Sequence, residues 1–143
     1  MIKKNRAFTM IEVIMTMVLM AIIATYTIPN FYKSVARTVE KDIMTQVSTL
    51  HAAQVFFFQQ TVTYWGPGAD TAAINTGLGL SIIENQSTFD CDAPGGGPPA
   101  TFECHGVATG ASSFTIRITE NPLLIGVNPC CESGACPTIA NEC

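Results

Sequence analysis

Two hydrophobic patterns lie end to end at the start of the chain. From Phe8 to Ile28, 21 residues carry one charge, Glu12. At the helical rise this run spans about 32 Å, enough to cross a hydrocarbon core. Past Pro29 the pattern becomes one-sided: Val35, Val39, Ile43, Val47, Leu50 and Phe57 recur at spacings of four, four, four, three and seven. That periodicity predicts an amphipathic helix. Lys33, Arg37, Lys41, Gln46 and Gln54 fall largely on its other faces. Together the two stretches predict a helix from residue 8 to about 62, roughly 80 Å long, half in a membrane and half against a head domain. Phe56, Phe57 and Phe58 cannot all face inward, because successive helical residues diverge around the axis. At least one of them should meet the following loop or a neighbouring molecule. Tyr64-Trp65-Gly66-Pro67-Gly68 then breaks the helix.

The rest of the chain changes period. Residues 66–88 read as a loop with a short turn near Leu78–Ile83. Strands are expected at Ser87–Cys91, Ala100–His105 and Ser113–Thr119, with a weaker one at Leu123–Val127. Phe114, Ile116 and Ile118 alternate with Thr115, Arg117 and Thr119, the pattern of a half-buried antiparallel strand. Ala93–Pro99 is rich in glycine and proline and predicts a hairpin loop. No internal repeat is present. The expected organisation is a basic leader at 1–7, an apolar helix at 8–29, an amphipathic half-helix at 30–62 and an exported head at 63–143.

Charge adds direction to this picture. Lys3, Lys4 and Arg6 precede the apolar run and place the amino terminus on the cytoplasmic side. Residues 43–143 hold one cation, Arg117, against eight carboxylates, so the head is acidic. It offers no basic surface to phosphates, and nucleic-acid binding is not expected. Charged residues are 13% of the chain and hydrophobic ones 48%, which excludes disorder.

The amino-terminal residues carry a resemblance. Behind the basic leader, Ala7-Phe8-Thr9-Met10-Ile11-Glu12-Val13 resembles the processing site of type IV pilins and type II secretion pseudopilins. In that family a prepilin peptidase cuts after a small residue, usually glycine, and methylates the new amino terminus. The resemblance implies a cut between Ala7 and Phe8, with Phe8 as the methylated first residue; Ala7 departs from the usual glycine. It also matches Pro29, since such pilins commonly carry a proline at that distance from the cut. The implied fold is α+β: a long helix, membrane-spanning in its first half, packed on a small antiparallel sheet with disulfides.

Physical reasoning gives the same residues a purpose. A carboxylate within an apolar span costs about 2.5–3.5 kcal/mol on insertion scales. Glu12 lies one turn from Phe8 and on its face, so it can pair with the new ammonium of its own or a neighbouring chain. Such pairing rewards assembly. Pro29 lacks an N–H and should kink the helix or mark where it opens, while Thr25 and Thr27 can bond back to carbonyls and ease the distortion. A cleaved secretory signal fits poorly, because the apolar run is long and no A-x-A-type cleavage site follows it.

All six cysteines, Cys91, Cys104, Cys130, Cys131, Cys136 and Cys143, lie in the exported part, which favours disulfides. Six cysteines permit fifteen pairings. Cys91 with Cys104 would join adjacent strands. The other two bonds would fall among the remaining four, with vicinal Cys130 and Cys131 bonding outward. Their spacing does not suit a cysteine zinc site or a covalent haem. Asp90, Asp92 and Glu103 could hold calcium weakly, but solvated acids are the simpler reading. His51 and His105 lack the company of a nucleophile or ligand motif, so neither catalysis nor a cofactor is expected.

The expectation is therefore a structural subunit, with the amino terminus cytoplasmic in a bacterial inner membrane and the head exported, later carried into a cell-surface pilus. Its partners would be copies of itself in a helical filament, the prepilin peptidase, and an inner-membrane assembly platform with its ATPase. Adhesion, motility or DNA uptake would belong to the polymer. The alternatives are a pseudopilin or minor pilin of a secretion or competence system, and a single-pass anchored binding module.

Overall fold

A computed structural model describes residues 8–66, 70–93, 101–110, 113–120, 128–139 and 143. Helix α1 runs Met10–Thr61. Two compact units divide the chain between Val35 and Ala36. In the first, the side chains of α1 are exposed, and its apolar window is long and hydrophobic enough to span a membrane. Backbone N–H groups of Glu12 and Val13 donate to the Thr9 carbonyl at 3.1 and 3.3 Å, starting the helix. It continues through Pro29. Just before the proline, the Thr25 and Thr27 hydroxyls donate to the Ile22 and Ile23 carbonyls, each at 2.7 Å.

The second unit is an antiparallel sheet packed on the later turns of α1. Strands β1 (Ser87–Asp92), β2 (Glu103–Ala108), β3 (Phe114–Thr119) and β4 (Cys130–Gly134) stand in chain order, each antiparallel to the next. The inner face presents Phe89, Cys91, Cys104, Ala108, Phe114, Ile116 and Ile118, all buried. Phe102, just before β2, joins them. They meet Ile43, Val47 and Leu50 of α1, together with Ile74 and Ile82. Full burial of each large apolar side chain contributes about 1.5–3 kcal/mol, so this layer carries the head.

Four local expectations need correction. The interval read as loop contains helix α2 (Thr71–Leu78). Asp70 caps it by accepting from the Ala73 N–H at 2.7 Å, and Gly79 ends it at φ 66°. Eight residues with Gly77 inside give too little periodicity to declare a helix, yet the two caps are in the sequence. Strand β2 lies three residues later than expected, because Gly106 is not a breaker. A Cβ there would sit 2.5 Å from Ile43 Cγ2, 3.0 Å from Val47 Cγ2 and 3.1 Å from Phe89 Cε1. Glycine is required here because side chains of α1 lie directly against the strand. Strand β4, Cys-Cys-Glu-Ser-Gly, was missed because it lacks the aromatic and aliphatic side chains of ordinary strands. Gln54, expected on a polar face, is fully buried: its amide donates to the Trp65 carbonyl at 2.9 Å and accepts from the Trp65 N–H at 3.0 Å. The expected strand at Leu123–Val127 lies outside the described residues.

Gly106→Ala should overpack this contact and cost the head about 1–3 kcal/mol, since the branched Ile43 side chain cannot move aside freely. Thermal unfolding followed by circular dichroism would read the loss. An unchanged midpoint would mean that α1 is not seated against β2.

Candidate assembly site

The first unit carries the candidate assembly residues, and the second is a disulfide-pinned head. Ala7 lies outside the described residues. Phe8 is 78% exposed, and Glu12 is exposed in the first turn of α1. A carboxylate there is favoured by the positive end of the helix dipole, a modest effect near water. Among the described residues no salt bridge reaches Glu12. Met10, Ile11, Ile14, Met15, Val18, Leu19, Ile22 and Ile23 expose apolar surface around the helix. Unpartnered apolar surface of this kind needs lipid or other chains around it.

Three disulfides pin the head. Cys91 joins Cys104 across β1 and β2, where the two are register partners. Cys130 joins Cys143, and Cys131 joins Cys136. Neighbours in sequence thus bind two separate points of the tail. Removing the Cys91–Cys104 bond with a paired serine substitution should cost about 3 kcal/mol, as a closed loop of this size constrains the unfolded chain. Denaturant unfolding of the oxidised variant would measure it. A loss under 1 kcal/mol would mean that the bond crosslinks strands already held.

The residue that binds this tail to the helix escaped the sequence reading. Glu40 is fully buried. Its Oε1 accepts from the N–H groups of Thr138 and Ile139, both at 3.0 Å, and its Oε2 accepts from the Thr138 hydroxyl at 2.6 Å. The buried stripe of α1 is Glu40, Ile43, Val47, Leu50 and Gln54, at spacings of three and four. A search restricted to apolar residues substitutes Val39 for Glu40. A polar residue at each end of that stripe was the available signal.

Loop contacts complete the upper end of the head. Phe58 stacks on Tyr64 with ring centroids 4.6 Å apart, while Phe56 remains exposed, so the three phenylalanines do diverge. Burial, and secondarily the Glu120 charge, holds the Tyr64 phenol above its usual range. His51 Nε2 lies 2.8 Å from Glu120 Oε2, and its ring lies against Phe102. Asp90 and Glu103 face His105 and Arg117 respectively, and Asp92 is exposed at the end of β1.

Comparison with known proteins agrees with the apolar part. Residues 2–28 match the family model described as the prokaryotic N-terminal methylation motif. A type IV major pilin protein, PilA of Myxococcus xanthus (strain DK1622), is 36% identical over 61 residues. That match covers 43% of this chain and 28% of the relative, so this chain aligns with less than a third of that protein. No solved structure matches the chain.

Proposed function

We propose that the chain, whose amino-terminal residues match the prokaryotic N-terminal methylation motif, is a type IV pilin, the structural subunit of a type IV pilus. Prepilin peptidase cuts between Ala7 and Phe8 and methylates the Phe8 amine. Removal of Lys3, Lys4 and Arg6 takes the formal charge from −4 to −7. The mature subunit waits in the inner membrane with its amino terminus on the cytoplasmic side. An ATP-driven platform then moves it into a helical filament. In the filament, apolar residues of neighbouring helices cover one another, and the disulfide-pinned heads form the outer surface. Glu12 pairs with a neighbour's Phe8 ammonium and sets the register between subunits. Pro29 is where the helix can change its hydrogen bonding as it packs.

The observation that carries this reading is the apolar stretch of α1, wholly exposed behind a prepilin cleavage motif. A membrane span alone explains the hydrophobicity but not the motif or the carboxylate inside it.

Shearing cells, pelleting the fibres and weighing the polypeptide by mass spectrometry tests the proposal. An abundant chain beginning at methylated Phe8 is the expected result. The same mass confined to membranes would instead mean a pseudopilin or a scarce priming subunit. A chain retaining Met1 throughout would mean a membrane-anchored domain and would overturn the reading.

A further inference from the structure

The outer face of the sheet holds a row of charged side chains apart from the residues assigned to assembly. Asp90 on β1, His105 on β2 and Arg117 on β3 are register partners and form one row. Glu103 lies two residues before His105, on the same face of β2. Glu132 reaches the row because of a bulge. Thr115 pairs with Ser133 and Ile116 with Cys131, which leaves Glu132 as the extra residue of β4. Bulges re-aim side chains in this manner.

His105 sits at the centre. Its Nδ1 is 3.0 Å from Asp90 Oδ2, hydrogen-bond distance for an N–H donating to a carboxylate. With that proton on Nδ1, the neutral ring presents a bare lone pair at Nε2. Nε2 faces Glu103 Oε1 at 3.3 Å and Glu132 Oε2 at 3.4 Å. Nε2 and the two carboxylate oxygens lie within 4.8 Å of one another, a set of donors that a single cation can bridge. Donors on a tetrahedral ion with bonds of about 2.0–2.1 Å stand roughly 3.4 Å apart, so the spacing of Nε2 from the two carboxylates is compatible with such an ion.

Charge points the same way. Asp90, Glu103 and Glu132 supply three carboxylates, and Arg117 supplies one cation, its NH1 3.0 Å from Glu103 Oε1 and 3.7 Å from Glu132 Oε1. The three carboxylates and Arg117 sum to minus two, the charge a divalent ion cancels. Glu132 directs one oxygen to the imidazole and the other toward Arg117, whereas Glu103 Oε1 serves both groups.

We propose that His105 Nε2, Glu103 and Glu132 bind one zinc-class divalent ion, with Asp90 orienting the imidazole through Nδ1. An imidazole with two carboxylates suits zinc and its transition-metal neighbours better than calcium, which prefers six or more oxygens. The carboxylate behind the histidine is the usual outer support of such a ligand. Both ligand-bearing strands are covalently pinned. Cys104 lies between Glu103 and His105, and Cys130 and Cys131 immediately precede Glu132. The donors therefore need little ordering on binding.

The test uses full-length processed subunit in detergent, untagged, stripped with chelator and titrated with zinc chloride, then with cobalt chloride. One zinc per chain by calorimetry, together with the intense visible absorption of tetrahedral cobalt, is expected. His105→Gln and Glu132→Gln should weaken zinc binding at least tenfold, Asp90→Asn by roughly 10- to 100-fold, and His51→Gln not at all. Equal binding of calcium, or zinc binding indifferent to His105 and Glu132, would reduce the site to a diffuse acidic surface and overturn the proposal. Absence of zinc binding to the folded wild type would leave His105 as a hydrogen-bonding partner of the carboxylates alone, which also overturns the proposal. Should His105→Gln fail to fold, the Glu132→Gln and cobalt results decide the matter alone.

Discussion

Glu40→Ala will release the carboxyl-terminal tail from α1, lowering the local opening free energy of its amides by about 3 kcal/mol. The buried carboxylate accepts two backbone N–H groups and one hydroxyl, all from Thr138 and Ile139. Hydrogen bonds to a charged group contribute about 1.5–3 kcal/mol each, and part of that returns when the freed donors reach water. Alanine also leaves a cavity against the Ile43 turn. Hydrogen exchange supplies the sharper measurement: the Thr138 and Ile139 amides should lose protection while those of β1–β3 keep it. The Cys130–Cys143 and Cys131–Cys136 bonds still tether the tail, so the loss is local. Glu40→Gln should be milder, since its carbonyl can still accept from both amides. Equal protection in Glu40→Ala and wild type would show that the disulfides alone seat the tail.

That glutamate marks the boundary of what the sequence made visible. Hydrophobic runs long enough to average over several turns were legible. The apolar stretch of α1, the Ile43–Val47–Leu50 stripe and the alternating Phe114–Ile118 strand rest on period and burial, which act locally. What failed depended on contacts distant in sequence. The expected strand stopped at His105, short of Gly106, because the Ile43 methyl that requires glycine there lies on another element. Strand β4 has no strand propensity of its own and is held by β3 and two disulfides. Cys91 with Cys104 was legible from adjacent strands, but the pairing among Cys130, Cys131, Cys136 and Cys143 stood open for the same reason. His105 read as a solitary residue because Asp90, Arg117 and Glu132 come from three other strands. Glu103, its neighbour on β2, had been grouped with Asp90 and Asp92 as an oxygen set. The proposed assembly residues were different in kind. Phe8, Glu12 and Pro29 stand in one short linear motif that needs no fold to be recognised.

Glu12→Ala will remove the subunit from sheared fibres, by at least about a hundredfold, while leaving its amount in the membrane unchanged or raised. The apolar run of α1 spans the bilayer without this side chain, and deleting a carboxylate removes an insertion cost of about 2.5–3.5 kcal/mol. Membrane retention therefore cannot be what Glu12 contributes. Beside a neighbour's Phe8 ammonium, in surroundings of low dielectric, the same carboxylate becomes half of an ion pair that no isolated subunit can complete. Alanine then leaves each ammonium without a partner at every subunit interface, and the penalty recurs along the filament. Glu12→Asp keeps the charge on a shorter stem and should restore part of the yield, whereas Glu12→Gln should not. Fibre yield by immunoblot, normalised to processed subunit in the membrane, is the measurement; mass spectrometry confirms that the leader was removed in each variant. Normal fibres from Glu12→Ala would show that apolar helix packing alone sets the register, and that Glu12 is a solvated carboxylate at the membrane interface.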